Sequence, residues 1–234
     1  MRRTAAAIDI QEVERLVAAR WGLEAHAQAL AGEEDRNFLL VTGGGDRYVL
    51  KVAPPDTEKE HVDCQIKALG HLSGSRLAEM VPMVQPSLDG ELLTTVDVGD
   101  GPCWTRVVSY LDGTPLVNRG DRPPWFLERI GRTLARLDLA LADFDHPGTR
   151  RDIPWDMERA ARLDQYLEHI GDTRRRRLVA NRLERFATEV EPLLGRLDHS
   201  VIHNDANDHN LLVRGNGHGE PELVGLIDFG DLLH

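Results

Sequence analysis

VIHNDANDHNLLV, residues 201–213, crowds two histidines, two aspartates and three asparagines into positions 203–210, with only Ala206 among them. Loops that merely turn the chain favour Gly, Pro and Ser, so this knot of proton-transfer and metal-binding groups reads as a site. Three chemistries fit it. One is a structural turn held by local Asn and Asp hydrogen bonds. A second takes His203, Asp205 and His209 as ligands of a transition metal. The third joins Asp205 and Asn210 to Asp228-Phe229-Gly230, which follow the apolar run ELVGLI. That set matches phosphoryl transfer, which needs an orienting base for the attacking hydroxyl and cations on the phosphate oxygens. Asp205 would then face the acceptor hydroxyl, Asn210 and Asp228 would hold Mg2+ through hard oxygen atoms, and His203 would brace the loop.

Working outward, this chemistry demands a cation from the other half of the chain to hold the inner phosphates of a nucleotide. Lys51, in YVLKVA, answers it; it is one of three lysines, with Lys59 and Lys67. A lysine in an otherwise apolar strand can also snorkel at a sheet edge. TGGGD, residues 42–46, lies too close to Lys51 for a phosphate loop and is read as a hairpin turn. The cover over the phosphates is assigned to Gly32–Asn37, with its acids expected to point away. The run Arg174–Arg177 is read as a solvated helix face.

The 234 residues and 41% apolar content suffice for one large domain or two small lobes. Asp9 and Glu12 resemble a capping pair ahead of the helical spacing Val13, Leu16, Val17, Trp21, with Gly22 as the stop. LEAHAQAL, NFLLV and RYVLKVA predict an antiparallel meander, and Val62, Ile66, Leu69 and Leu72 a helix. A lobe boundary falls near Asp112: residues 1–111 form a β-rich nucleotide-binding lobe and 112–234 a mainly helical catalytic lobe. In the second lobe a long helix follows Pro123-Pro124. Further helices are expected over 156–170 and 172–194, and short strands at VIH, LLVR and ELVGLID.

A net charge of −11 argues against a nucleic-acid surface. Cys64 and Cys103 form no CxxC pattern, so a reducing, cytoplasmic setting is the default. The N-terminus MRRTAAAIDI lacks the apolar core of a signal peptide, and no apolar run reaches bilayer length. The expected partner is a small molecule, with neither nucleic acid nor membrane.

YVLKV, WTRVVSYLDGTPL, HNDANDHN and LIDFGD together resemble the aminoglycoside phosphotransferase and choline kinase group, from about Leu23 to the last residue. Within it, HNDANDHN, GLIDFGDLLH and LADFDHPGTRRDIPWDM look most like hydroxylysine kinase and the kinase domains fused to class III aminotransferases. The resemblance implies an α+β, protein-kinase-like two-lobed fold and a kinase using Mg2+ with GTP or ATP. The acceptor it implies is an amino alcohol, with 5-hydroxylysine foremost and aminoglycoside, choline or homoserine-type acceptors as alternatives. It places Lys51 on the nucleotide phosphates, Asp205 as catalytic base, Asn210 and Asp228 on magnesium, and Ser109, Tyr110 and Leu111 as the hinge against the base. Asp208 or Asp231 would meet the acceptor ammonium.

Three departures stand out. Asn204 occupies a position that is Gly in many relatives. Gln65 occupies the helical position of the glutamate that pairs with the strand lysine, and is expected to hydrogen-bond Lys51 instead. Relatives continue well beyond the DFG-like aspartate, whereas this sequence ends six residues after Asp228; an incomplete catalytic lobe is expected, and with it a nucleotide-binding but inactive domain as the rival reading.

Overall fold

In the computed structural model, which describes residues 8–32, 34–98, 101–215 and 219–234, the first helix, α1 (Ile10–Trp21), starts where Asp9 accepts a hydrogen bond from the Gln11 amide. It stops at Gly22, whose φ of 67° lets its amide reach back to the carbonyls of the last turn. Residues 1–7, which include most of the stretch read for a signal peptide, lie outside the described residues. The chain then forms β1 (Ala25–Leu30), β2 (Arg36–Thr42) and β3 (Arg47–Val52), paired antiparallel in sequence order. Between β2 and β3, TGGGD makes the hairpin, with Gly45 at φ 89° and the Asp46 amide bonded to the Thr42 hydroxyl.

Helix α2 (Lys59–Leu72) buries Val62, Ile66, Leu69 and Leu72. Short strands β4 (Val84–Gln85) and β5 (Thr94–Asp97) precede β6 (Pro102–Ser109), and the sheet has the order β1-β2-β3-β6-β4, with β5 also on β6. Side chains alternate across it. Phe38, Leu40, Leu50, Val52 and Val107 pack in one cluster with Val13, Val17 and Trp21 of α1, which leaves Asn37, Lys51 and Arg106 on the opposite face.

A second sheet, β7 (Thr114–Pro115), β8 (Leu211–Gly215) and β9 (Pro221–Leu226), carries the polar knot at the start of β8 and Asp228 just past β9. Gly113 is required at the entry to β7, because a Cβ there would lie 2.8 Å from Leu212 Cβ and 3.0 Å from Val224 Cγ2. The strand expected at VIH is reduced to a single bridge, Ile202 with Leu233; Asn204, at φ 63°, ends the extended run immediately. Helix α3 (Pro124–Ala140) begins on the proline pair and buries Phe126, Thr133 and Leu137.

The chain divides into two compact units, residues 1–149 with 200–234 and, separately, 150–199. The second unit begins with a 3-10 helix, Met157–His169, capped by Asp156. It continues in α4 (Thr173–Arg185), capped by Asp172, and a short α5 (Glu191–Leu194). The single helix expected over 172–194 is interrupted by a π turn, Phe186–Val190. Pro192 has no amide to donate to Thr188, and the Thr188 hydroxyl itself bonds the Glu184 carbonyl, which together loosen the regular ladder. Among the described residues, no helix is long and apolar enough to cross a membrane.

Candidate active site

The knot folds as a clamp around one carboxylate. Asp205 accepts at Oδ1 from the Asn207 side-chain amide and at Oδ2 from the Asn210 side-chain amide, both at 2.8 Å, and Asn210 also donates to the Asp205 carbonyl at 2.9 Å. The Asn207 oxygen accepts from the His209 amide, so Asn207 bridges both arms of the loop. His203, 2% exposed, donates from Nε2 to the Ile227 carbonyl at 3.1 Å and accepts at Nδ1 from the Asp205 amide at 3.3 Å. Phe229 packs edge-on against its ring. Burial pushes the imidazole below its usual range, against the opposing pull of the Ile227 carbonyl and the carboxylates of Asp228 and Asp205. The neutral ring therefore ties the Asp205 loop to the end of β9. With both ring nitrogens bonded, the metal site built on His203, Asp205 and His209 loses its first ligand.

Asn204 and Asp228 both hold left-handed backbone, φ 63° and 65°. Asparagine and aspartate tolerate this region better than other non-glycine side chains, which explains how these two positions hold it. Asp228 is brought to Lys51: Nζ lies 3.7 Å from Asp228 Oδ1 and 3.5 Å from Asp35 Oδ2. Asp35 is a correction to the expected loop, whose acids were to point away; position 33 of that loop lies outside the described residues. Burial works to raise the Asp35 carboxyl, but the charges and hydrogen bonds of Arg106 and Lys51 together hold it below the ordinary aspartate range.

Gln65 is a second correction. Its amide oxygen accepts from Arg106 Nη2 at 2.6 Å and its amide nitrogen lies 3.2 Å from His61 Nε2, so it bonds the neighbouring strand's arginine rather than Lys51. Asn207, Asp35 and Arg106 escaped the sequence reading. Arg106 had a visible signal, a charged residue inside the apolar run CWTRVV; the other two are short polar residues in polar loops and had none.

At the end of β6, the Ser109 amide donates to the Met83 carbonyl at 2.8 Å and the Tyr110 amide to the Arg47 carbonyl at 3.1 Å. Two of the three residues expected at the hinge thus have their backbone amides engaged within the sheet and its connections. Asp208, one of two acids considered for an acceptor ammonium, is held by Arg122 at 2.8 Å. Its carboxyl is pulled low by that hydrogen bond, against a smaller effect of desolvation.

The donor set suits a hard cation. Both amide-nitrogen bonds of Asn210 go to Asp205, so its side-chain oxygen is the atom that could hold a cation, and the Asp228 carboxylate is 53% exposed. One amide oxygen and one carboxylate match magnesium rather than a soft metal.

Comparison with known proteins follows the same line. The family model described as "Phosphotransferase enzyme family" matches residues 26–234. Hydroxylysine kinase of Danio rerio is 28% identical over 232 residues, covering 94% of this chain and 64% of the relative. The chain thus spans less than two thirds of that curated relative's length. Among solved structures, the GDP and kanamycin complex of APH(2")-IIia superposes with a TM-score of 0.69 at 17% identity, over 96% of this chain and 74% of the other. Amicoumacin kinase hAmiN, in complex with AMP-PNP, Ca2+ and Ami, gives 0.66 at 18% identity, over 97% and 65%. At such identities these structures speak for the fold.

Proposed function

The chain belongs to the phosphotransferase enzyme family, and from that premise we propose that it is a small-molecule kinase moving the γ-phosphoryl group of GTP or ATP to the hydroxyl of an amino alcohol, 5-hydroxylysine foremost. Its mixed α+β fold, with an antiparallel sheet at the N-terminal end, is that of kinase-like phosphotransferases. The observation that carries the reading is the meeting of Lys51 with Asp228 at 3.7 Å, while Asp205 is gripped by Asn207 and Asn210 at the other end of the His203 tether. The acceptor class is supported by the relative's name, hydroxylysine kinase. Both donors are kept because the structural relatives were solved with GDP in one case and AMP-PNP in the other. Residues 1–111 would form the nucleotide-binding lobe with its hinge, and residues 112–234 the catalytic lobe.

In this reading the Lys51 ammonium holds the inner phosphates, and the Asp205 carboxylate orients the acceptor hydroxyl. As the acceptor oxygen bonds the γ-phosphorus, the bond to the bridging oxygen of the nucleoside diphosphate breaks and the hydroxyl proton passes to Asp205. Asn207 and Asn210 fix the carboxylate so that no reorientation is needed at that moment. Magnesium held by Asn210 and Asp228 would supply charge neutralisation for the phosphate oxygens.

The test is a nucleoside-diphosphate release assay over an amino-alcohol panel, with GTP and with ATP. Asp205→Ala should lower turnover by about 10^2–10^4-fold, the range for a lost general base, with nucleotide binding nearly unchanged. Wild-type turnover in that variant would remove Asp205 from its role. Nucleotide binding without turnover across the panel would select the inactive, nucleotide-binding reading instead.

A further inference from the structure

Register sets a charge problem in the main sheet. Lys51 on β3 lies directly opposite Arg106 on β6, and opposed residues of an antiparallel pair project to the same face, where like charges destabilise. Arg106 is 1% exposed, so water does little to screen it. One carboxylate oxygen answers both cations: Asp35 Oδ2 lies 3.5 Å from Lys51 Nζ and 3.0 Å from Arg106 Nη2. The same Arg106 nitrogen donates to Gln65 on α2 at 2.6 Å. Helix α2 therefore offers a neutral amide to this cluster, and the negative charge that meets Arg106 comes from the connection between β1 and β2, while Asp228 adds a second carboxylate 3.7 Å from Lys51 alone.

We propose that Asp35, fixed by Arg106 and through it to Gln65 of α2, is the counter-ion that positions Lys51, so that the β1–β2 connection and the phosphate-binding lysine are set by one buried charge couple. Asp35 and Arg106 are positioning residues that act through Lys51. What Lys51 holds rests on the kinase reading above; the couple itself does not. When a triphosphate engages Lys51, Asp35 still balances Arg106, so the arginine is never left as an unpaired buried charge. An aspartate on this connection thus does work that an acid on the helix could also do, and it ties the connection to the strand.

The first experiment needs no catalysis. The chain has three lysines, Lys51, Lys59 and Lys67, and competitive acylation with acetic anhydride, read by mass spectrometry on the full nucleotide-free chain, ranks them internally. Asp35→Asn should raise the labelling of Lys51 relative to the other two by roughly fivefold, the factor lost with a partly buried ion pair. Adding Gln65→Glu to Asp35→Asn returns a carboxylate to Arg106 from α2 and should bring labelling back toward wild type, which Gln65→Ala would not. Arg106→Lys, which keeps the charge but loses the terminal nitrogen Nη2 that bonds both Gln65 and Asp35, should also raise it and serves if Asp35→Asn fails to fold.

The second experiment is kinetic. Asp35→Asn should raise KM for the nucleoside triphosphate about tenfold with a smaller fall in kcat, and Gln65→Glu should recover part of it. Unchanged Lys51 labelling in folded Asp35→Asn, or in folded Arg106→Lys, overturns the couple. Labelling that responds in a chain that binds no nucleotide supports the couple and overturns the kinase reading alone.

Discussion

His203 shows how one buried side chain sets the loop around it. Its two ring nitrogens bond a carbonyl and an amide, an arrangement that only the neutral ring with its proton on Nε2 can make. Because burial lowers its pKa below the unfolded value of 6.5, the unfolded chain binds the extra proton first as pH falls. Stability attached to this residue is therefore present above about 6.5 and is lost as pH drops through the lower folded value. His203→Phe removes both bonds and the titration, so the variant is less stable than wild type at neutral pH, and the difference in thermal midpoint should shrink between pH 7.5 and 5. A gap that widens on acidification would mean that the charged ring is the bonded form. Asp35 has the same sign at lower pH: its stabilisation is present above the usual aspartate value of 3.8 and is lost as its folded pKa is crossed.

At the level of elements, the second sheet positions the Asp205 loop and Asp228, and Gly113 sets its tightest approach. Gly113→Ala places a methyl group 2.8 Å from Leu212 Cβ, where the other side is strand backbone and cannot move far. Such overpacking costs about 1–3 kcal/mol, readable as a lower denaturant midpoint, with a fall in activity because β8 begins at Asn210's neighbour Leu211. A fully stable Gly113→Ala variant would show that β7 is free to shift. The sequence was informative where periodicity and turn chemistry decide the element: the β1–β3 meander, the TGGGD hairpin, α2 and the cap on α1 all follow from local patterns. Lys51, Asp205, Asn210 and Asp228 were visible because each sits in an unusual local setting, an amine in an apolar strand or oxygen ligands in a tight spacing. The link from Asp35 to Arg106 was not, because it depends on which face β3 and β6 share and on how the five-residue connection between β1 and β2 runs. Gln65 could be placed on the correct helix face by counting, but its partner could not, since two cations compete for it. The break in α4 before α5 was missed because Pro192 acts on the carbonyl four residues earlier.

For the molecule as a whole, a net charge of −11 repels a polyphosphate at long range, and attraction has to be local. The local charges nearly cancel: Lys51 and Arg106 face Asp35 and Asp228. A nucleotide bearing several negative charges therefore meets no net positive pocket unless a divalent cation enters with it. Adding Mg-nucleotide at about a hundred times its Kd should stabilise the fold by about 2.7 kcal/mol. For a chain of this size that is a rise in thermal midpoint of roughly 5–10 °C. With EDTA in place of magnesium most of the rise should vanish, and the remainder should grow as added salt screens the acidic surface. Asp228→Asn lightens the local negative charge and weakens the metal site together, so it should bind free nucleotide no worse than wild type yet gain little from magnesium. An equal midpoint shift with and without divalent cation would refute the pairing of Asn210 with Asp228 on the metal, and would leave Lys51 as the basis of phosphate attraction.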